Sequence, residues 1–99
     1  MRAVRVSDSV SFGGGRFGLI AGPCLIEDVP STAEIACHLR DLARELGIDF
    51  VFKASCDKAN RTSVASERGP GWHAALDTLA EVKSCVGVPV LTDVHEVWQ

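Results

Sequence analysis

Three short apolar segments alternate with two longer segments of helical periodicity, and this alternation limits the folds open to the chain. The apolar segments cover residues 17–21, 50–54 and 88–94. The length of the first two and their lack of polar alternation predict strands that are buried, and the third segment is predicted to be a further strand. The order strand, helix, strand, helix, strand is typical of a parallel sheet, because each helix is long enough to return the chain to the same end of the sheet.

The two helical segments have recognisable starts, apolar faces and ends. Ser31 and Glu34 have the spacing of a capping box, which satisfies amide donors at a helix start. The first helix is predicted to bury a stripe of large apolar residues, and Gly47 is predicted to end it. That stripe consists of Ile35, Leu39, Leu42 and Leu46. The stripe of the second helix, which ends at Gly87, consists of Trp72, Leu76, Leu79, Val82 and Val86.

Residues 1–16 are predicted to form an N-terminal hairpin, because 2–6 and 10–12 alternate in polarity around a turn. Residues 17–99 form the α/β unit. Three parallel strands with two helices leave strand edges and one sheet face uncovered, which purely parallel sheets rarely tolerate. Two architectures stay open: a small open α/β domain, and the truncated first part of a TIM (β/α)8 barrel, which needs roughly 250 residues. We favour the barrel.

Charge and composition exclude several classes of partner. The chain has 10 Lys and Arg against 13 Asp and Glu, a net charge of -3, so no basic face favours nucleic acid or an anionic membrane. No apolar run of about 18 residues predicts a membrane span, and no secretory signal is recognisable. We therefore expect a cytoplasmic protein. The four cysteines are expected to be reduced, since their spacing fits neither a zinc pattern nor a compact disulfide framework.

Polar side chains collect where the three predicted strands end, and the carboxyl ends of parallel strands are where such folds place their chemistry. Four cations lie within sixteen residues there: Lys53, Lys58, Arg61 and Arg68. A small anionic ligand would explain them, because Arg and Lys bind phosphate oxygens and nearby hydroxyls add hydrogen bonds. The alternative is a solvated loop whose cations pair with acidic neighbours. For Lys53 the ligand is favoured, because it lies in an apolar strand and an unpaired buried ammonium is costly.

Two further strand ends carry reactive groups. Asp93 and His95 lie two residues apart at the third strand end and point to the same side of the chain. A carboxylate near an imidazole suits proton transfer or ligand orientation, although both residue types also cap helices and bond turns. Cys24 follows the first strand in a turn, where an accessible thiol is a nucleophile, a metal ligand or an unreactive small residue.

Four segments resemble the 3-deoxy-D-manno-octulosonate 8-phosphate synthase family: LIAGPCLIED (19–28), FKASCDKANRTS (52–63), RGPG (68–71) and PVLTDVHE (89–96). The string KANRTS is the most specific, because the related 3-deoxy-7-phosphoheptulonate synthases typically have a KPRTS-like string there. The resemblance implies a (β/α)8 barrel with an N-terminal hairpin closing its bottom, usually assembled as a homotetramer. It also implies condensation of phosphoenolpyruvate with D-arabinose 5-phosphate and water, giving Kdo 8-phosphate and phosphate for lipopolysaccharide Kdo biosynthesis.

The resemblance also implies substrate contacts. Lys53 and Lys58 match phosphoenolpyruvate contacts, with Ser55 beside them. The expected contacts to arabinose 5-phosphate are Asn60, Arg61 and Thr62. Lys58, between the two groups, is expected also to donate to the aldehyde oxygen as that atom gains negative charge.

Catalytic and metal roles follow from the same resemblance. Asp93 and His95 match active-site groups that orient substrate or handle the water and proton steps, with no general base assigned between them. Cys24 matches a ligand of a divalent transition metal ion, since Cys marks the metal-dependent branch of the family and Asn the metal-independent one. The remaining ligands, a His, a Glu and an Asp, belong to later barrel strands that this chain lacks.

The chain by itself is therefore expected to be an inactive N-terminal part of a synthase. A 3-deoxy-7-phosphoheptulonate synthase that uses erythrose 4-phosphate is the alternative within the same class, and Asn60 argues against it. An alternative from another class is a noncatalytic phosphosugar-binding or assembly fragment, which would pair with other subunits through its open strand edges.

Overall fold

The computed structural model describes residues 2–57 and 71–99. In these ranges an antiparallel hairpin precedes a parallel sheet covered by two helices. The hairpin strands are β1 (Ala3–Arg5) and β2 (Ser11–Gly13). The sheet strands are β3 (Gly18–Ala21), β4 (Asp49–Lys53) and β5 (Val90–Leu91), in the order β3-β4-β5, and the helices are α1 (Val29–Leu46) and α2 (Trp72–Val86). The chain is thus a small α/β unit with parallel strands and two helices, as predicted.

The core lies between the central strand β4 and the two helices. Phe52 of β4 and Val82 of α2 are fully buried in it, as is Ile26, which lies between β3 and α1. The two helices pack against each other, and the Arg40 guanidinium of α1 donates to the carbonyl oxygen of Val86 over 3.0 Å. Arg40 thereby satisfies a carbonyl at the C-terminus of α2, where a cation also complements the helix dipole.

The predicted hairpin is present, and a carboxylate attaches it to the sheet. Three successive glycines with positive φ, Gly13, Gly14 and Gly15, turn the chain after β2. Arg16 then donates to both carboxylate oxygens of Asp49, over 2.8 and 3.1 Å, and the Ser11 N–H donates to Asp49 over 2.9 Å. These bonds fix the hairpin to the first residue of β4, at the amino end of the sheet.

Helix α1 begins three residues earlier than the capping-box spacing predicts. Its N-cap is Asp28, whose carboxylate accepts from the Ser31 N–H over 2.8 Å and from the Ser31 hydroxyl over 2.7 Å. Ser31 is therefore a residue of the first turn, and the prediction that it caps the helix is wrong. Pro30 in the first turn has no N–H to satisfy and favours the earlier start.

The face that α1 buries also differs from the predicted stripe. Its buried residues are Thr32, Ala36 and Ala43. Leu42 and Leu46 of the predicted stripe are 41% and 63% exposed. Small side chains face the sheet and α2 because they allow the elements to approach closely, which residue size alone cannot reveal. For α2 the predicted stripe is correct, since Leu79, Val82 and Val86 are buried.

Strands β3 and β5 depart from the sequence predictions, β3 in its burial and β5 in its length. Ile20 of β3 is 47% exposed, and Phe17 just before it is 74% exposed. Strand β5 pairs over two residues only, where seven were predicted. In the part of the chain that the structure describes, β3 and β5 each pair with β4 alone, so each has one free edge. No helix in this part is long and apolar enough to cross a membrane.

Candidate active site

A glycine brings the carboxyl end of β3 against β4. A Cβ atom on Gly22 would lie 1.8 Å from the carbonyl oxygen of Lys53, a separation that no side chain allows. Four residues later, the Ile26 N–H donates to the carbonyl oxygen of Ser55 over 3.0 Å. The turn that carries Cys24 is therefore fixed at both ends against the end of β4.

This arrangement places three predicted site residues around one cleft. Cys24, Lys53 and Ser55 line a cleft of about 330 Å³, together with the last residues of β3. The Cys24 thiol and the Lys53 side chain are exposed, whereas Ser55 is only 3% exposed. The cleft thus presents a thiol and an ammonium group to solvent above a buried hydroxyl.

Lys53 is exposed, so the expectation of a buried ammonium group is wrong. Lys53 lies in an apolar strand, but its side chain leaves the core at the end of β4, between the buried residues Phe52 and Ala54. Its charge therefore carries no burial cost that a ligand must offset. The case for an anionic ligand rests on its place in the cleft instead.

Asp93 and His95 meet beside this cleft, after β5. Nε2 of His95 lies 3.1 Å from Oδ2 of Asp93, and the two side chains are 25% and 33% exposed. Burial raises the pKa of Asp93, but the hydroxyl of Ser55 and the charges of His95 and Lys53 outweigh it, so that the pKa lies below its ordinary value. The ends of β4 and β5 therefore share one electrostatic environment, in which Asp93 is ionised at neutral pH.

Some polar atoms of this environment have unused bonding capacity. Among residues 2–57 and 71–99, Oδ1 of Asp93 and Oγ1 of Thr92 are buried and have no hydrogen-bond partner. Buried polar atoms are seldom left unpaired. A ligand or water at the end of β5 would satisfy them.

The four cysteines are all free, as expected. Cys56 is fully buried, and this burial raises the pKa of its thiol. It is a neutral packing residue, so Cys24 is the thiol that faces the cleft. In the described ranges, no three His, Cys, Asp or Glu side chains come close enough together to hold a metal ion. Cys24 is one candidate ligand there, without a complete set.

Gln99 is a residue of this region that was not predicted from the sequence. Its Oε1 atom accepts from the backbone N–H groups of His95 and Glu96, over 2.7 and 3.0 Å, and its Nε2 donates to Asp57 over 3.3 Å. A glutamine in a short turn carries no distinctive sequence signal. The other predicted site residues, Lys58, Asn60, Arg61 and Thr62, lie outside the described residues.

Comparison with known proteins identifies relatives over most of the chain. It is 47% identical over 96 residues to a 2-dehydro-3-deoxyphosphooctonate aldolase of Fusobacterium nucleatum, covering 97% of this chain and 34% of that protein. A protein of the same name from Citrifermentans bemidjiense is 50% identical over 91 residues, 91% of this chain and 33% of the relative. One from Legionella pneumophila is 54% identical over 78 residues, 79% of this chain and 28% of the relative.

The chain therefore spans about a third of the length of these relatives. A match to the DAHP synthetase I family extends over residues 2–99 and so includes the hairpin, the sheet and both helices. This chain belongs to the DAHP synthetase I family.

Proposed function

We propose that this chain is part of a 3-deoxy-8-phosphooctulonate synthase. The complete enzyme condenses phosphoenolpyruvate with D-arabinose 5-phosphate and water to give Kdo 8-phosphate and phosphate. The observation that carries the proposal is the cleft in which Cys24, Lys53 and Ser55 meet, with Asp93 and His95 beside it. The relatives support it as well, since their name refers to the same eight-carbon phosphorylated acid.

Lys53 is proposed to bind phosphoenolpyruvate. This substrate carries a phosphate and a carboxylate, and an exposed ammonium group beside a cleft is a movable partner for either. Ser55 keeps the place beside the phosphoenolpyruvate contacts that the resemblance implies, and its buried hydroxyl also lowers the pKa of Asp93. We propose that Ser55 supports the charge of Asp93 and contacts substrate only at the floor of the cleft.

Asp93 and His95 are proposed to orient substrate and to handle the water and proton steps. An ionised carboxylate holds an imidazole in one orientation and one tautomer, which leaves the imidazole ready to accept or donate a proton. The unpaired Oδ1 of Asp93 is a further acceptor for a substrate hydroxyl or a water molecule.

Cys24 is proposed to contribute one ligand to a divalent transition metal ion. An exposed thiol in the cleft suits such an ion, because thiolates are soft ligands. When bound, the ion polarises a carbonyl group or positions water. The remaining ligands come from parts of the enzyme beyond the described residues. Metal analysis of the complete protein tests this role: C24N is expected to lose metal, and unchanged metal content would exclude Cys24 as a ligand.

Lys58, Asn60, Arg61 and Thr62 keep the roles that the resemblance implies. Lys58 is proposed to contact phosphoenolpyruvate and to donate to the aldehyde oxygen. Asn60, Arg61 and Thr62 are proposed to contact arabinose 5-phosphate. In the complete enzyme K58A is expected to lower kcat with little effect on the free energy of unfolding, because its charge matters most in the transition state. Unchanged kinetics would reject this assignment.

We further propose that residues 17–99 form the first part of a (β/α)8 barrel, with residues 1–16 as the hairpin that closes its bottom. The exposed apolar side chains of Phe17, Ile20 and Leu46 and the free edges of β3 and β5 support this, since further strands and helices would cover them. The complete enzyme is proposed to be a cytoplasmic homotetramer, and sedimentation of that protein tests the oligomeric state.

The deciding experiment compares two aldehydes in the complete protein. Phosphate release from phosphoenolpyruvate is measured with D-arabinose 5-phosphate and with erythrose 4-phosphate. The proposal predicts a much higher kcat/KM with arabinose 5-phosphate. The reverse preference would identify a 3-deoxy-7-phosphoheptulonate synthase. Calorimetric binding of the phosphosugar without turnover would identify a noncatalytic binding protein.

A further inference from the structure

Gln99 links two loops of the candidate site through one side chain. Its Oε1 atom accepts from the N–H groups of His95 and Glu96, and its Nε2 donates to Oδ2 of Asp57. His95 belongs to the loop after β5, and Asp57 belongs to the segment after β4. The carboxamide of Gln99 thus joins the carboxyl ends of two neighbouring strands.

Among residues 2–57 and 71–99, few backbone bonds join this loop to β4. The N–H groups of Phe52 and Ala54 donate to the carbonyl oxygens of Pro89 and Leu91, over 2.9 and 3.2 Å. After Leu91 the described residues have no further backbone ladder between β4 and the chain that carries Asp93 and His95. Within the described residues, the position of His95 relative to the end of β4 therefore depends on side-chain bonds.

Few types of side chain can make both parts of the link that Gln99 makes. The link needs an acceptor for two N–H groups and a donor for a carboxylate, and a carboxamide supplies both. A glutamate accepts but has no proton to donate at neutral pH, and a leucine of similar size does neither. An asparagine has the right groups but is one methylene shorter.

We propose that Gln99 is a positioning residue of the synthase. It holds the backbone of His95 at a fixed distance from the end of β4, so that the pair formed by Asp93 and His95 faces the cleft of Lys53 and Cys24. This inference rests on the proposed function, which defines the reaction that Asp93 and His95 serve. The link itself is a property of the described structure and is measurable without turnover.

The first test uses amide hydrogen exchange in the complete protein, followed at His95 and Glu96. Q99L removes the acceptor, and exchange at both amides is expected to accelerate. Q99E keeps the acceptor and is expected to leave both amides protected. The turn remains anchored in both variants because the Trp98 ring packs edge-on against Trp72, with centroids 6.1 Å apart. Equal protection in Q99L and the unaltered protein would overturn the link.

The second test is a double-mutant cycle on turnover. Q99E places a carboxylate against that of Asp57 and is expected to lower kcat about tenfold with a smaller change in KM. In a D57N background the same change is expected to cost less than about threefold, since the amide that D57N introduces donates to the carboxylate that Q99E introduces. Asp57 makes further interactions, so the kcat of the D57N protein is the reference value with which the kcat of the double variant is compared.

The outcomes separate this inference from the proposed function. Equal losses from Q99E in both backgrounds, or a Q99L protein with normal kcat, would overturn the positioning role while leaving the synthase activity intact. An unaltered protein that releases no phosphate from the two substrates would instead overturn the proposed function, and Gln99 would then have no reaction to serve. A rescue of kcat in the double variant supports positioning, because a merely structural role predicts no such recovery.

Discussion

The Nε2 atom of His95 lies 3.1 Å from Oδ2 of Asp93, immediately beyond the two-residue strand β5. The pair follows from their two-residue spacing, which places both side chains on one side of the chain. Its electrostatic setting does not follow from spacing. Ser55 and Lys53 belong to the neighbouring strand end, and both lower the pKa of Asp93 against the effect of burial.

Removing the Ser55 hydroxyl is therefore expected to raise the pKa of Asp93. Burial already favours the protonated acid, and S55A deletes the largest of the effects that oppose it. The carboxyl resonance of Asp93 followed by NMR during an acid titration measures the change. S84A, at an exposed serine of α2, is the matched control and should leave the titration unchanged. A titration of Asp93 that is the same in S55A would contradict the assignment.

Gly22 is expected to tolerate no side chain. A Cβ there meets the carbonyl oxygen of Lys53, which belongs to the backbone of β4 and cannot move aside. G22A should lower the free energy of unfolding by about 1–3 kcal/mol, the usual cost of overpacking, as measured by urea denaturation of the complete protein.

Gly15 supplies the control for this substitution. A Cβ on Gly15 meets nothing within 4 Å, although its φ of +86° disfavours alanine. G15A should therefore cost about 1–2 kcal/mol through backbone conformation alone, without disturbing the cleft. In G22A the exposed Cys24 thiol is expected to react with iodoacetamide at a changed rate. The same rate of alkylation in G22A and in the unaltered protein would argue against the close approach of β3 and β4.

The N-cap of α1 can be identified by comparing two substitutions. D28A removes the carboxylate that accepts from the Ser31 N–H and should lower the free energy of unfolding by about 1 kcal/mol. S31A removes only the hydroxyl bond to the same carboxylate and should cost less. Thermal unfolding of the complete protein measures both. A larger loss in S31A would restore the cap position that the capping-box spacing predicts.

The attachment of the hairpin is expected to depend on pH. Arg16 and the Ser11 N–H lower the pKa of Asp49 below its ordinary value of 3.8. The carboxylate therefore stabilises the fold above that value, and the contribution is lost as the pH falls through the lower folded-state pKa. The difference in the free energy of unfolding between the unaltered protein and D49N should have its full value at pH 7 and should decrease below about pH 4.

Asp8 provides the control for the pH experiment. It belongs to the same hairpin, but its side chain is 99% exposed, and its ion-pair partner is the neighbouring exposed Arg5. D8N should leave stability unchanged across the same pH range. A D49N protein whose stability matches that of the unaltered protein at pH 7 would show that the ion pair does not hold the hairpin.

Much of the fold was predictable, because apolar periodicity indicates the helices and strands and the glycine positions indicate where the helices end. Gly47 and Gly87 end both helices in the left-handed conformation, as the sequence predicts. The buried face of α1 was only partly predictable, since Leu39 packs against the core but Ala36 and Ala43 are the residues buried there, and Leu42 and Leu46 are exposed. Strand β5 is shorter than its apolar run because ladder bonds depend on partners, which sequence periodicity does not report.

The candidate site was predictable in position and only partly in detail. The rule that strand ends converge placed Cys24, Lys53 and Ser55 together, and they line one cleft. The burial of Ser55, the exposure of Lys53 and the link through Gln99 depend on tertiary packing. No local pattern encodes them.

The most direct test of this account asks whether phosphoenolpyruvate occupies the cleft shared by Cys24 and Lys53. The complete protein, freed of metal, is treated with iodoacetamide, and alkylation of each cysteine is followed by mass spectrometry. Cys85 is also exposed but lies on α2, so it serves as the internal control. We predict that phosphoenolpyruvate slows alkylation of Cys24, not of Cys85, and that K53M abolishes this protection. Equal alkylation of Cys24 with and without saturating phosphoenolpyruvate would contradict the account.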